Sequence, residues 1–355
     1  MDARIEGHMT IGAAVAPPAR RGSDYAELSR RISRLGLLDR RPVGYLPLAV
    51  LSGALFVGGW VAFFLVGDAR GQVLVAVLLA VASTQVAFLG HDAGHRQIFR
   101  GRPAGDVLGL LAGNLAVGLS YGWWIDKHTR HHANPNHEDE DPDVGAGALV
   151  WTPEQAGQTR GFARRLARRQ AYLFFPMLTL EGLALHVSSV KAVFGRGPDG
   201  YATPMRHRGV EALLLVAHTV GYLAAVLTVL SPLKALVFVA VHQGLWGIYM
   251  GCSFAPNHKG MPVLGAGDDL DFLRKQVLTS RNVRGGRLVD VLLGGLNYQI
   301  EHHLFPSMPR RNLRRAQPIV EAYCHDQGIP YEQTGLLDSY RQALRHLHSV
   351  GAALR

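Results

Sequence analysis

Four stretches of the chain stay apolar long enough to cross a bilayer as helix, which takes about 20 residues. Residues 46–66 contain no charge, and neither do residues 72–90; the turn Gly67-Asp-Ala-Arg-Gly71 separates them. Residues 210–230 and 233–250 repeat the arrangement around Ser231-Pro232. Each of these carries one charge near its start, Glu211 and Lys234, where a side chain can reach the interface. The pattern predicts transmembrane helices at 46–66, 72–90, 210–230 and 233–250. Two further apolar stretches are interrupted by polar groups. Residues 104–124 are glycine-rich and hold Asp106 and Asn114, which predicts a re-entrant or interfacial helix. Residues 171–190 hold Glu181, His186 and two serines, which predicts an amphipathic helix at the membrane surface.

The polar remainder sets the domain limits. Residues 1–40 read as a basic, mobile N-terminal arm with a short amphipathic helix around 25–38. They contain charges and Pro17-Pro18 but no apolar core, so no cleavable signal peptide is expected. Residues 41–320 form the membrane domain, and 321–355 a C-terminal cytosolic helical tail. The expected fold class is an all-α integral membrane protein: four transmembrane helices, interfacial helices, and a cytosolic helical cap.

Composition supports this. Apolar residues make up 48% of the 355 and charged residues 18%, yet the formal charge is +10, from 32 arginines and 5 lysines against 27 acidic residues. A nucleic-acid binder would interleave its basic residues with the fold; here they flank apolar blocks. Arg20, Arg21, Arg30, Arg31, Arg34, Arg40 and Arg41 precede the first span and make that side cytosolic. Two spans return the chain there at His91, and two more return it before Lys259. Both termini are therefore expected in the cytosol, with a bacterial cytoplasmic membrane as the host bilayer. Cys252 and Cys324 are far apart and adjoin no motif, which argues against a disulfide framework or zinc ribbon.

Candidate chemistry lies in the histidines. Seven of 17 fall into three clusters: His91 and His95; His128, His131 and His132; and His302 and His303, behind Gln299. Spacings of three and four residues put imidazoles on one helix face. Three such groups converging on one side of the membrane could hold two metal ions. Histidine without cysteine suits iron, zinc or copper, and neutral imidazoles leave an iron's charge available for oxygen chemistry. Carboxylates commonly orient such ligands, and Asp92, Asp139, Asp141, Asp143 and Glu301 are the candidates. Tyr121, Trp123 and Trp124 suit the walls of a greasy tunnel or an interfacial belt. Gln243 and Trp246 in the fourth span could line that tunnel or simply pack. His218 and His242 lie within spans, where a helix–helix hydrogen bond is expected. His186 reads as interfacial, His137 as solvated or supporting, and His8, His207, His325, His346 and His348 as solvated. Arg310, Arg311, Arg314 and Arg315 read equally as a face near lipid headgroups or a dock for an acidic electron donor or a CoA phosphate.

The words Gly90-His-Asp-Ala-Gly-His95, Lys127-His-Thr-Arg-His-His132, Asp141-Pro-Asp143 and Asn297-Tyr-Gln-Ile-Glu-His-His-Leu-Phe-Pro306 stand in this order around two pairs of spans. They resemble the histidine boxes of the membrane fatty acid desaturases, from about residue 45 to just past the third box. The resemblance implies four transmembrane helices under a cytosolic cap holding two irons. It implies removal of two hydrogens from adjacent methylenes of an acyl-CoA or acyl-lipid, with O2 and two electrons. Members use one more histidine between the fourth span and the third box; His258 fits that place, with Asn257 beside it. Gln299 stands where many members have histidine, as in the acyl-lipid and front-end branch. Front-end members often carry a fused cytochrome b5 domain with a His-Pro-Gly-Gly motif. No such motif occurs here, so a separate donor is expected, a ferredoxin or flavin-linked reductase. The rival readings are a lipid or carotenoid hydroxylase or ketolase with the same kind of site, and a non-catalytic, zinc-stabilised membrane receptor or scaffold.

Overall fold

The computed structural model describes residues 23–145, 147–195, 205–352 and 354. Four helices are long and apolar enough to cross a membrane, or up to six if each of two bent helix pairs is one span. The four are α2 (Leu46–Val66), α3 (Gln72–Gly94), α10 (Arg208–Val229) and α11 (Pro232–His258). With almost no strand among the described residues, this is an all-α membrane fold. Helix α3 is the hub and packs on both α2 and α11. The turn after α2 is closed by the buried Gln72, whose Nε2 donates to the carbonyls of Phe63 (2.7 Å) and Gly67 (2.8 Å). Those carbonyls lie at the C-terminal end of α2, where the backbone runs short of donors; besides this side chain, Phe63 O accepts from the Gly67 amide at 3.2 Å. Asp68 joins this turn to the one before α11, accepting from Ser231 N at 2.9 Å and pairing with Lys234 at 2.9 Å.

Two spans run further than their apolar stretches. Helix α3 continues to Gly94 and so carries His91; α11 continues to His258 and so carries Asn257. In both, the polar end is buried by the cap, which the hydropathy pattern cannot register.

The stretch 104–124 is broken. Helix α4 (Arg102–Gly109) runs into a π-helix (Leu110–Val117); the chain then turns at Gly118 (φ 73°) into α5 (Tyr121–Ala133), a bend of 111°. The bend is held by polar groups. Glu211 accepts from Ser120 Oγ (2.5 Å) and Gly122 N (3.1 Å), and Asn114 Oδ1 accepts from Tyr121 N (3.0 Å). These satisfy amides at the start of α5, which has no earlier turn to bond them. Glu211, expected to reach the interface, is instead buried in this network. The stretch 171–190 is likewise two helices, α8 (Gln170–Leu178) and α9 (Glu181–Phe194), bent by 71°.

The polar cap holds α1 (Asp24–Arg34), α12 (Phe272–Leu278), α14 (Gln299–Leu304), α15 (Arg310–Asp326) and α16 (Leu336–Ala352). A short parallel pair, β1 (Asn282–Arg284) and β2 (Gln333–Gly335), ties the third box to the C-terminal segment. From Ser23 on, the expected mobile arm is packed structure. Leu28 and Ile32, four residues apart, are fully buried with Leu273, Ile300 and Leu304, and Tyr25 Oη donates to Leu304 O at 2.9 Å. One helical stripe of apolar residues is enough to dock a short helix on a cap. The remainder of that arm, with His8, Arg20 and Arg21, lies outside the described residues. Helix α15 is continuous across residue 320, and α16 packs on α8 and α11. His346, expected in solvent, is half-buried with Nε2 2.9 Å from Trp151 O.

Candidate metal centre

Each histidine cluster reaches the centre on a different element. His91 ends the long span α3, and His95 is its C-cap. His128, His131 and His132 share α5. His302 and His303 sit on α14, and His258 closes α11. Segments more than 200 residues apart in sequence therefore meet in one volume.

Within it the histidines form two knots. His91, His95, His128 and His302 make the first; one ring nitrogen from each lies within 4.8 Å of those of all the others. His131, His258 and His303 make the second by the same measure. His132 lies between them, its ring 4.2 Å from that of His303 and 4.7 Å from those of His95 and His302. Its Nε2 lies 3.1 Å from His128 Nε2.

The residues around the knots orient the rings. His131 Nδ1 donates to Asp141 at 2.9 Å, and Asp143 lies 3.6 Å from the same atom. His258 Nδ1 donates to Thr279 O at 3.1 Å, and His303 Nδ1 to Gln276 Oε1 at 2.8 Å. His91 Nδ1 lies 3.1 Å from Asp92, whose other oxygen pairs with Arg310 at 2.8 Å. Holding Nδ1 as the proton-bearing nitrogen leaves Nε2 with its lone pair free. Burial, then the neighbouring His95 and His91, push His302 well below its ordinary pKa; burial, then His258 and His131, do the same for His303. Both rings are neutral, the form that binds metal. Burial alone would raise Asp143, but the Lys127 ammonium, His131 and Lys259 hold it below the usual carboxylate range.

Whether a metal fits can be tested on these atoms. The Nε2 of His91, His95 and His303, the Nδ1 of His132 and both His302 nitrogens are buried without a hydrogen-bond partner among the described residues. Orphaned buried polar atoms are costly. So many lone pairs converging without donors is an arrangement that cations relieve, and the all-nitrogen donor set suits iron, zinc or copper.

The other expected residues divide. Gln299 lies in the second knot, but its Nε2 donates to His258 Nε2 at 2.8 Å while its Oε1 accepts from Asn257 at 3.2 Å. Asn257 thus positions Gln299. Glu301 does not touch an imidazole nitrogen; fully buried, it accepts from Asn282 and Tyr331, both at 2.7 Å, and burial pushes its carboxyl up to about 7. It anchors the backbone of the third box. Asp139 is exposed, and its own amide faces His137 Nδ1 at 3.3 Å, away from both knots. Tyr121 and Trp124 line a narrow apolar cavity of about 50 Å³ that reaches His91 between α3, the π-helix and α11. The same two side chains line a polar vestibule of about 270 Å³ that reaches His95 and His128. Trp123 faces Lys127 instead and lines neither. Trp246 is buried behind the cavity wall with Val117, Leu119 and Met250, and Gln243 packs on Gly182.

Sequence reading missed Gln276, Thr279 and Asn136, and it took Arg310 for a headgroup or donor contact without its pairing with Asp92. Asn136 Nδ2 donates to His258 O (3.0 Å) while its amide donates to Asp141 (2.7 Å), from a left-handed backbone at φ 55°. Asparagine tolerates that region, which was its one available signal. Gln276 and Thr279 carry no motif.

The acyl-lipid (9-3)-desaturase of Physcomitrium patens is 30% identical over 286 residues, 78% of this chain and 53% of the relative. A Delta(6)-fatty-acid desaturase of Caenorhabditis elegans is 31% identical over 283 residues, 78% of this chain and 64% of that protein. A Delta(8)-fatty-acid desaturase of Euglena gracilis is 29% identical over 315 residues, 87% and 74% respectively. This chain thus spans between half and two thirds of the first two relatives. The family described as fatty acid desaturase matches residues 69–335, a segment that contains both histidine knots and the carboxylates that orient them, and the chain belongs to that family.

Proposed function

We propose that this chain is an integral-membrane fatty acyl desaturase that forms a carbon–carbon double bond in an acyl-CoA or acyl-lipid at a di-iron centre. The observation that supports it is the meeting of two histidine knots beside an apolar cavity that reaches His91. In the proposal His91, His95, His128 and His302 hold one iron and His131, His258 and His303 the other, with His132 between them. Gln299 completes the second set once its carboxamide turns its oxygen inward. An iron pair held there would supply the activation of dioxygen. Two hydrogens leave adjacent methylenes, and with one O2, two electrons and two protons two waters form.

The chain's own residues do the rest. Asp141, Gln276 and the Thr279 carbonyl keep Nδ1 protonated in the second knot and aim each Nε2 at one point. Asp92, braced by Arg310, does this for His91. Tyr121 and Trp124 stand where vestibule and cavity meet, so an acyl chain passing between them runs by both His128 and His91. The packed cavity wall excludes bulk water from that path. Electrons come from a separate donor protein, a ferredoxin or a flavin-linked reductase. In this reading the cap and both termini lie in the cytosol, the side favoured by the arginines that flank the spans.

The test is expression in a host without desaturases, with iron analysis of the purified protein and gas chromatography of acyl chains. A new double bond with two irons per chain is expected. A product that gains oxygen in place of losing two hydrogens would establish the hydroxylase reading instead. Bound zinc without oxygen consumption would leave only a scaffold.

A further inference from the structure

Of the arginine cluster after the third box, only Arg310 has a part in the chemistry above, through Asp92. Arg310, Arg311 and Arg314 project from the first turns of α15 toward helix α13 (Arg287–Leu292) and the start of α2. Between them opens a groove of about 330 Å³ whose walls include Tyr45, Leu48, Arg287, Val291 and Tyr298. Four guanidiniums face it. Two are already matched: Arg310 pairs with Asp92 at 2.8 Å and Arg314 with Asp290 at 3.4 Å. Arg287 and Arg311 are exposed and have no carboxylate partner among the described residues. The groove therefore keeps an excess of two positive charges.

Its position and its other wall identify the occupant. Tyr45 and Leu48 sit at the polar end of span α2, where the hydrocarbon layer begins. On α13 the apolar side chains point outward: Leu288 is 70% exposed, Val291 47% and Leu292 42%. Helix α13 is tied to the spans, since Tyr249 Oη of α11 donates to Leu292 O at 2.7 Å. Exposed apolar side chains beside the polar end of a span suit lipid, and Val291 shares its groove with the guanidiniums of Arg287 and Arg311. Arginine forks bind phosphate oxygens two at a time, and basic pockets at the polar ends of spans take anionic headgroups.

We propose that this groove is a binding site for one anionic phospholipid. Its phosphate lies between Arg287 and Arg311, and its acyl chains run along Leu48 and Val291. Arg310 belongs both to this groove and to the metal centre, through Asp92 to His91, so the lipid sits two side chains from a box histidine. The site does not depend on the desaturase reading. An acidic electron carrier would match the charge but not the outward apolar face of α13.

The test is native mass spectrometry of the delipidated full chain. It is titrated with diphytanoyl phosphatidylglycerol and phosphatidylcholine, whose branched chains match and differ only in headgroup from each other. Phosphatidylglycerol is expected to bind one per chain and more tightly. In the double variant Arg287→Gln/Arg311→Gln its affinity is expected to fall about thirtyfold. Arg287→Lys/Arg311→Lys, which keeps the charge and loses the fork, is expected to fall between the two. Equal affinity for both lipids overturns the proposal. So does an unchanged affinity in the folded glutamine variant, or an equal loss on replacing Arg165, Arg168 and Arg169 at the other basic surface. Full competition by inorganic phosphate alone would make the site one for free phosphate. Loss of binding to an acidic redox protein with lipid affinity intact would make it a docking face.

Discussion

The two histidine knots differ in how firmly they are held. In the second, all three rings are fixed through Nδ1, by Asp141, the Thr279 carbonyl and Gln276. In the first, only His91 has such an anchor, in Asp92, and His302 has neither nitrogen bonded among the described residues. The first knot is also the one that opens outward, with His91 on the apolar cavity and His95 and His128 on the vestibule. The second is enclosed by α12, the end of α11 and the loop around Asn136. In the proposed enzyme the first knot lies next to the substrate path, and a site that admits a substrate there cannot surround every histidine with second partners. On that reading the open knot is left looser and the one behind it is preorganised.

This contrast can be broken most forcefully at the ligands. His302→Ala should abolish product and remove iron from the first knot, leaving about one iron per chain by metal analysis; His303→Ala should also abolish product but empty the second knot instead. Loss of both irons from either variant would show that the knots do not bind separately. Chelator treatment comes next: iron loss followed by absorbance should be biphasic, the first-knot ion leaving faster, and a single phase would argue against the difference in anchoring. Asp141→Asn should weaken metal binding about 10–100-fold, with Gln276→Ala toward the lower end. Asp139→Ala, on an exposed residue, should leave metal content unchanged.

The smallest effect concerns the support of the third box. Glu301 is raised in the folded protein from 4.5 to about 7, so the fold holds its proton more tightly than the unfolded chain does. The associated stability is present below about 4.5 and is lost as pH rises through about 7. Glu301→Gln should flatten that slope in thermal unfolding measured across this range, and an unchanged slope would place its origin elsewhere.

Much of the candidate site was legible in the sequence because its histidines come in local groups. Helical spacing alone puts His128 and His132 on one face, and counting spans brings His91, His128 and His302 to one side of the bilayer. Asp141 was legible because it lies only 10 residues past its histidine, His131. Gln276 and Arg310 were not, because their partners are 27 and 218 residues away. The role expected of Glu301 failed for a related reason. Its neighbours in sequence are histidines, but α14 turns its side chain to the opposite face, toward Asn282 and Tyr331.

Hydropathy by itself determined the four spans, since 20 apolar residues have no cheaper place than a bilayer. The histidine clusters set the class of candidate metal donor, because imidazoles at i and i+4 keep their geometry wherever the helix goes. The rest was left to tertiary structure. The ends of α3 and α11 run past their apolar stretches, the arm from Ser23 onward folds into the cap, and the histidines divide into a braced knot and an open one. Each depends on which polar group finds a partner across a long loop. That partner is fixed only when the cap closes, because a buried donor or acceptor must be matched and the sequence does not say by whom.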